Sequence, residues 1–475
     1  MFKPLNLLKS LCLVTLLQPS AVYAELPTLG DPTQQELTPF REYLMGKNFY
    51  RTLKANVPFV TDLEVNDYIN SLGKKLVSHS DNPDKEFRFF VIKVDNINAF
   101  AGPDAYIGFH TGLITAAKNE SELAGVMAHE ISHVTQRHLA RAMTESSTSP
   151  ATMFATILAG ILLASQNPEA GAALIYGGQA AMVQSQINFT RANEYEADRI
   201  GIGVLRNSGI NPEGMAGFFE TLLAKSESDN IFSQMEYLRT HPLNITRIAE
   251  SRNRINKEDG RLPDDSLNFQ FVRSRVLVET SQSHNQIIKH ILGLDKHQQN
   301  IVTHYTLGLA YLADHQADKS IRTLQTLSKT SSHPWIQLAL ADAYIASQNR
   351  KAALDILENL NTLYPNYLPV SIRYARLLID MKQSQQAINI LNAQLKTQKK
   401  PVVYRTLARA YFSNSQVELA LEATSYEYEK EGYLKLAVQQ ITNALQQPGV
   451  KTLTQQRLES RKNELTQQIS RENME

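Results

Sequence analysis

Between His304 and Thr424 one pattern occurs four times: "HYTLGLAYLADHQADKSIRTL", "QLALADAYIASQNRKAALDIL", "IRYARLLIDMKQSQQAINIL" and "YRTLARAYFSNSQVELALEAT". Ala310, Ala343, Leu377 and Ala410 are spaced by 33, 34 and 33 residues, and Ala317, Ala352, Ala387 and Ala420 form a matching second set. Each unit reads as two helices, with a small residue in the first that lets the second pack close. A single helix pair cannot bury its own apolar face, so the units must stack on one another. Weaker helical stretches near 268–294 and 433–468 read as partial or capping units. This period therefore commits residues 263–475 to an all-α array.

The period and its small residues resemble the tetratricopeptide repeat, which implies a solenoid with a concave face for proteins or peptides rather than a catalyst. The polar, turn-rich "KEDGRLPDD" (Lys257 to Asp265) separates it from what precedes, giving a first domain over 25–262 and a second over 263–475. A chain of 475 residues is too long for one ordinary core. Its 43% hydrophobic and 20% charged residues are those of a soluble globular protein. With a formal net charge of +1, nothing favours nucleic acid or an anionic membrane as the main partner.

The first 24 residues read as an export signal. Lys3 and Lys9 precede the apolar "LCLVTLL", Pro19 and Ser20 break it, and "VYA" places cleavage after Ala24. The apolar run is too short to span a bilayer. Cys12, the only cysteine, lies inside this signal. The exported chain would hold no disulfide, and any metal site in it must use His, Asp and Glu.

In the first domain, Leu63, Tyr68, Ile69, Leu72 and Leu76 have helical spacing, while "FRFFVIKV" (Phe87 to Val94) and "AYIGFHTGLI" (Ala105 to Ile114) read as strands. "NESELAGVMAHEISHVTQRHLARAM" reads as one long helix capped by Asn119. Residues 151–187 are apolar but interrupted by Asn167 and Pro168, so neither half spans a bilayer. They read either as buried helices or as an apolar hairpin that touches substrate or the membrane periphery. "FTRANEYEADRIGIGVLRNSG" is a helix ended by Gly209, and "NPEGMAGFFETLLAK" follows with Asn211 as cap.

The chemistry concentrates in "VMAHEISHVTQRH" (Val126 to His138). On a helix, His129 and His133 share a face and can present two imidazoles to one metal. Glu130 lies about 100° around from His129, where it flanks the metal and can deprotonate a bound water. A histidine six residues after His133 would extend the motif, but position 139 is Leu. His138 comes one residue early, on another face, and reads as a surface residue. "NEYEAD" offers Glu194 as third ligand, leaving one position open for water. Asp198, four residues on, can accept the free ring N–H of a ligand histidine. Glu196 points to a different side and reads as a non-ligand.

"HEISH" followed by "NEYEAD" resembles the gluzincin metallopeptidases of the M48 group, which include the CAAX prenyl peptidases and the heat-shock membrane peptidases. "NAFAGP" (Asn98 to Pro103) and "THPLNITRI" (Thr240 to Ile248) extend the resemblance over roughly residues 60 to 255. It implies an α+β peptidase domain, mostly helical with a small sheet. It implies one Zn2+ per chain bound by His129, His133 and Glu194, with Glu130 as base. It implies His241 near the metal, as oxyanion donor or as a fourth ligand, and Arg247 as an accessory residue. Asn98, Ala99, Phe100, Ala101 and Gly102 would form the edge strand on which an extended substrate pairs.

Unlike the membrane members of the group, this chain has no transmembrane span in its exported part. An export signal with a repeat tail resembles the periplasmic, soluble branch of the group. That implies a zinc metalloendopeptidase and chaperone for outer-membrane protein assembly, acting on unfolded or misassembled outer-membrane proteins. The repeats would bind the outer-membrane assembly machinery. The alternative is a latent or non-proteolytic scaffold whose zinc site is plugged.

Overall fold

The computed structural model describes residues 37–145, 180–228, 236–256 and 259–474, with a few positions between 155 and 162. The stretch expected to be an export signal, residues 1–24, and most of the apolar stretch 151–187 lie outside the described residues. Leu158 and Leu162 are exceptions, and both pack against a cluster of Phe49, Phe90, Phe100 and Tyr106. Among the described residues, no helix is long and apolar enough to cross a membrane.

Helix α1 (Pro39–Asn56) starts at Thr38, whose hydroxyl accepts from the Arg41 amide, with Pro39 in its first turn. Helix α2 (Leu63–Val77) starts at Asp62, which accepts from the Val65 amide, and buries Val65, Ile69, Leu72 and Leu76 along one stripe. Strands β1 (Arg88–Ile92), β2 (Ala99–Ala101) and β3 (Tyr106–His110) form a sheet in the order β1-β3-β2. β1 runs parallel to β3, and β2 antiparallel to it. Every residue of β3 is buried, as expected for a central strand covered on both faces. Strand β3 is shorter than the run Ala105 to Ile114 suggests. It ends at His110, and Thr111–Ala116 turns into helix α3 as Thr111 Oγ1 and the Gly112 amide both donate to the Val94 carbonyl.

Helix α4 (Glu120–Thr135) carries His129 and His133. Asn119 caps it, accepting from the Glu122 amide at 2.9 Å. The expected long helix is in fact two. Arg137 adopts a left-handed φ of 55°, and α5 (His138–Glu145) leaves in a new direction. Next come α6 (Ala180–Asn207), α7 (Glu213–Ser228), α8 (Glu236–Thr240) and α9 (Ile245–Asn253). Helix α4 is buried from Ser121 to Ser132 because α2, α6, α7 and β2 surround it. Close approach depends on glycine. A Cβ on Gly214 of α7 would lie 2.1 Å from the Ser121 carbonyl oxygen, and one on Gly201 of α6 would press on the backbone of Ala128 and His129.

The remainder is helical throughout, from α10 (Leu267–Thr280) and α11 (His284–Leu292) to α20 (Leu434–Leu445) and α21 (Thr452–Asn473). The four repeats are α12/α13 (Ile301–Ala313, Ala317–Ser328), α14/α15 (Pro334–Ala346, Arg350–Leu363), α16/α17 (Leu368–Asp380, Ser384–Thr397) and α18/α19 (Pro401–Ser413, Val417–Lys430). His315, Gln348, Lys382 and Ser415 hold the turns within the pairs, all at positive φ between 58° and 64°. The second small-residue set needs correcting. The equivalent buried positions are Ser320, Ala353, Ala387 and Ala420, so Ala317 and Ala352 were out of register. Ser320 fits there because its hydroxyl donates back to the Gly308 carbonyl at 2.8 Å.

One apolar core runs without a gap from Val60 to Ala423. At its centre Glu64 of α2 is fully buried, 3.0 Å from Arg373 of α16 and 3.4 Å from Arg275 of α10. Arg275 also binds Asp62 and the Tyr305 hydroxyl, and Arg373 binds Asp342. The repeat array is thus ion-paired directly to the helix that supports α4.

Candidate active site

Three elements converge on one buried point. Helix α4 supplies His129 and His133 one turn apart, α6 supplies Glu194 and Asp198 one turn apart, and the end of α8 supplies His241. One nitrogen of each imidazole and one Glu194 oxygen lie within 4.8 Å of one another and could hold a metal ion. His129 Nε2 is 2.9 Å from His133 Nε2, 3.2 Å from His241 Nδ1 and 3.3 Å from Glu194. Glu194 is 3.4 Å from His133 Nε2 and 3.0 Å from His241 Nδ1.

A surrounding layer orients these donors. His129 Nδ1 meets Asp198 at 2.9 Å, which points Nε2 at the cluster. Arg247 of α9 is almost fully buried. It donates to both oxygens of Asp198 at 2.8 Å, to the Pro242 carbonyl at 2.9 Å, and pairs with Glu194 at 2.9 Å. Its guanidinium lies over the Phe219 ring. Burial pushes the Asp198 carboxyl up, but hydrogen bonds from His129 and Arg247 outweigh burial and hold it below its usual range. Burial, aided by the neighbouring His129 and His241 and opposed by Glu194, pushes His133 down to about 3. At His129 burial acts the same way, yet Glu194 and Asp198 overcome it and hold the imidazole up at about 10. A buried site with that field favours a cation against the His129 ring.

Glu130 stands beside the cluster. It is 1% exposed, and neither carboxylate oxygen has a hydrogen-bond partner among the described residues. Burial raises its pKa more than His241 and His129 lower it. His241 Nε2 is 3.4 Å from Glu130, and the His241 ring stacks on Tyr237 at 4.7 Å. An orphaned buried acid next to four converging donors fits a bound metal and a water that needs a base.

β2 borders this point as the edge of the sheet. Asn98 accepts from the His110 amide and Gly102 donates to the Tyr106 carbonyl, so the N–H and C=O groups of Ala99 and Ala101 face away from β3. A cavity of about 250 Å³ runs beside it, bordered by Phe100, Ala101, Glu130, Val134, Leu139 and His241.

Of the residues singled out from the sequence, Asn98, Phe100, Ala101, Gly102, Glu130, His133 and His241 border this cavity, whereas Ala99, His129, Glu194, Asp198 and Arg247 do not. One reading is overturned: His138 is not at the surface. It is 5% exposed, and its Nδ1 is 2.7 Å from His133 Nδ1. The helix break at Arg137 turns it inward, and "TQRH" holds no glycine or proline to announce that break. Glu196 pairs with His138 and Arg141. Tyr237 had no sequence signal at all, because a lone tyrosine gains its role only from the ring it stacks on.

The profile of Peptidase family M48 matches residues 64–255, and a tetratricopeptide repeat profile matches residues 345–411. The chain is 34% identical over 449 residues to the Beta-barrel assembly-enhancing protease of Escherichia coli (strain K12), covering 93% of this chain and 91% of that protein. It is 32% identical over 379 residues to the protein of the same name from Yersinia pestis, covering 72% and 78%. It is 29% identical over 189 residues to the Metalloprotease LoiP of Escherichia coli (strain K12), covering 40% and 68%. The last match covers less than half of the chain, whereas the first extends over nearly all of it and so includes the repeats. The chain is therefore a metal-dependent peptidase of family M48, and it belongs to the family of the β-barrel assembly-enhancing proteases.

Proposed function

We propose that the chain is a zinc endopeptidase exported to the periplasm, where it cleaves unfolded or misassembled outer-membrane proteins. Its signal would end at Ala24, its peptidase domain at 262, and its repeats would bind the outer-membrane assembly machinery. One observation carries the reading: the buried Glu130, whose nearest cationic neighbour is His241 at 3.4 Å, stands beside the converging donors of His129, His133, Glu194 and His241. Donor atoms around a tetrahedral zinc at roughly 2.0–2.1 Å stand about 3.3 Å apart. The separations of 2.9 to 3.4 Å support zinc in that place.

Zinc held there supplies Lewis-acid polarisation of water and of the scissile carbonyl. Glu130 takes the proton of the attacking water and returns it to the leaving amide nitrogen. Asp198 and Arg247 keep His129 and Glu194 aimed, so little reorganisation is needed during reaction. An extended substrate adds along the edge of β2 that is turned away from β3. Backbone pairing of this kind selects for extension more than for sequence, which suits unfolded clients.

A resting state is supported by His241. Its Nδ1 stands among the donors rather than beyond them, so it competes for the position that water needs. The same geometry also serves the second reading, a chaperone or scaffold with a plugged site. An unfolded porin incubated with wild type and Glu130→Gln, with zinc quantified in both, separates the readings. Cleavage by wild type alone at equal zinc supports the peptidase. No cleavage by either at full zinc leaves the scaffold reading unless His241→Ala restores cleavage.

A further inference from the structure

We infer that His138 is a positioning residue that fixes how His133 meets the metal, through a chain Arg141–Glu196–His138–His133. The inference rests on the metal-site reading above.

The hydrogen positions follow from the contacts. His133 points Nε2 at the other donors, 2.9 Å from His129 Nε2 and 3.4 Å from Glu194, so its hydrogen sits on Nδ1. That N–H meets His138 Nδ1 at 2.7 Å, which must therefore accept. The hydrogen of His138 is then on Nε2, 3.1 Å from Glu196. Glu196 also accepts from Arg141 at 2.7 Å. Each ring thus has one tautomer. The ring planes cross at 80° with centroids 4.7 Å apart, and the 2.7 Å between the two Nδ1 atoms brings ring edge to ring edge, as an N–H to in-plane lone pair contact requires.

The backbone is arranged to make this contact. On an unbroken helix, five residues advance about 500°, which would place His138 roughly 140° away from His133. Arg137 instead takes a left-handed φ of 55°, where side chains with a Cβ are uncommon, and His138 begins α5 facing back. His129 gets its orientation from Arg247 and Asp198. His133 gets its own from Arg141 and Glu196, with one additional imidazole in between. The two ligand histidines are thus held from opposite sides by two separate arginine–carboxylate pairs. The second pair is partly exposed, with Glu196 at 30% and Arg141 at 35%.

His138→Leu and His138→Asn in the full chain provide the test. The two replacements share a side-chain skeleton branched at Cγ, but only Asn places an acceptor where Nδ1 stood. Zinc affinity is read by competition with a chromophoric chelator, and ligand geometry by the visible spectrum of the cobalt-substituted protein. We expect His138→Leu to weaken zinc binding by roughly 10–100-fold and to shift the cobalt bands, with His138→Asn within roughly 3-fold of wild type. Equal affinity for wild type and Leu, or equal losses for Leu and Asn, would overturn the inference. Should the Leu variant fail to fold, Glu196→Ala acts from the partly exposed end and should weaken zinc several-fold; unchanged binding would count against the chain. A wild type that takes up no zinc overturns the metal reading itself, and this inference with it.

Discussion

Arg373→Met tests whether the repeat array and the peptidase part are held as one body. Glu64 is fully buried and has two cationic neighbours, Arg373 at 3.0 Å and Arg275 at 3.4 Å. Arg275 is already shared with Asp62, its nearer partner at 2.6 Å. Methionine fills most of the arginine volume and removes the charge, leaving a buried carboxylate with one distant, shared cation. Breaking one side of a buried pair costs about 3–5 kcal/mol. At roughly 2–4 °C per kcal/mol for a unit of 150–250 residues, that amounts to a fall of roughly 6–20 °C in Tm. The assay is differential scanning calorimetry of the full chain. Glu64→Gln combined with Arg373→Met removes the stranded charge and should recover most of the loss, because an uncharged replacement of a buried pair is often close to neutral. A single variant within 2 °C of wild type, or a double variant no better than the single, would refute the reasoning; the 2 °C threshold is roughly the shift from 1 kcal/mol.

Three further outcomes follow from the geometry. Gly214→Ala puts a Cβ against the Ser121 carbonyl, so α4 and α7 must separate; urea unfolding should show a loss of roughly 1–3 kcal/mol. Asp198→Asn keeps the shape but loses the charge that orients His129 and holds Arg247, so zinc affinity in a chelator competition should drop roughly 10–100-fold. Ala101→Pro removes an N–H from the free edge of β2; cleavage of an unfolded substrate should show a raised KM while bound zinc stays near one per chain.

Much of this was legible in the sequence because it rests on short-range periodicity. His129 and His133, like Glu194 and Asp198, are four residues apart, and a helix turns that spacing into a shared face. The 33–34-residue period names its helix pairs for the same reason. What stayed hidden depends on long-range contact or on unsignalled backbone. The break at Arg137 occurs where no glycine or proline signals it, so an unbroken helix puts His138 on another face. Ser320 does not stand out in a pattern of alanines, although a serine that donates to the Gly308 carbonyl fits the same buried position. Glu64 reads as an ordinary acid in the first turn of α2; only the array folded against that helix makes it a buried charge. The strand order was not legible either, since β2 has three residues and gains its edge position from pairing with β3.

The most direct test of the central claim is zinc X-ray absorption on the purified full chain, wild type beside His241→Ala. The account predicts one zinc with four nitrogen or oxygen neighbours at roughly 2.0–2.1 Å and no sulfur, including three imidazoles in wild type and two in the variant. An all-oxygen six-coordinate shell, or an imidazole count unchanged by His241→Ala, would contradict it.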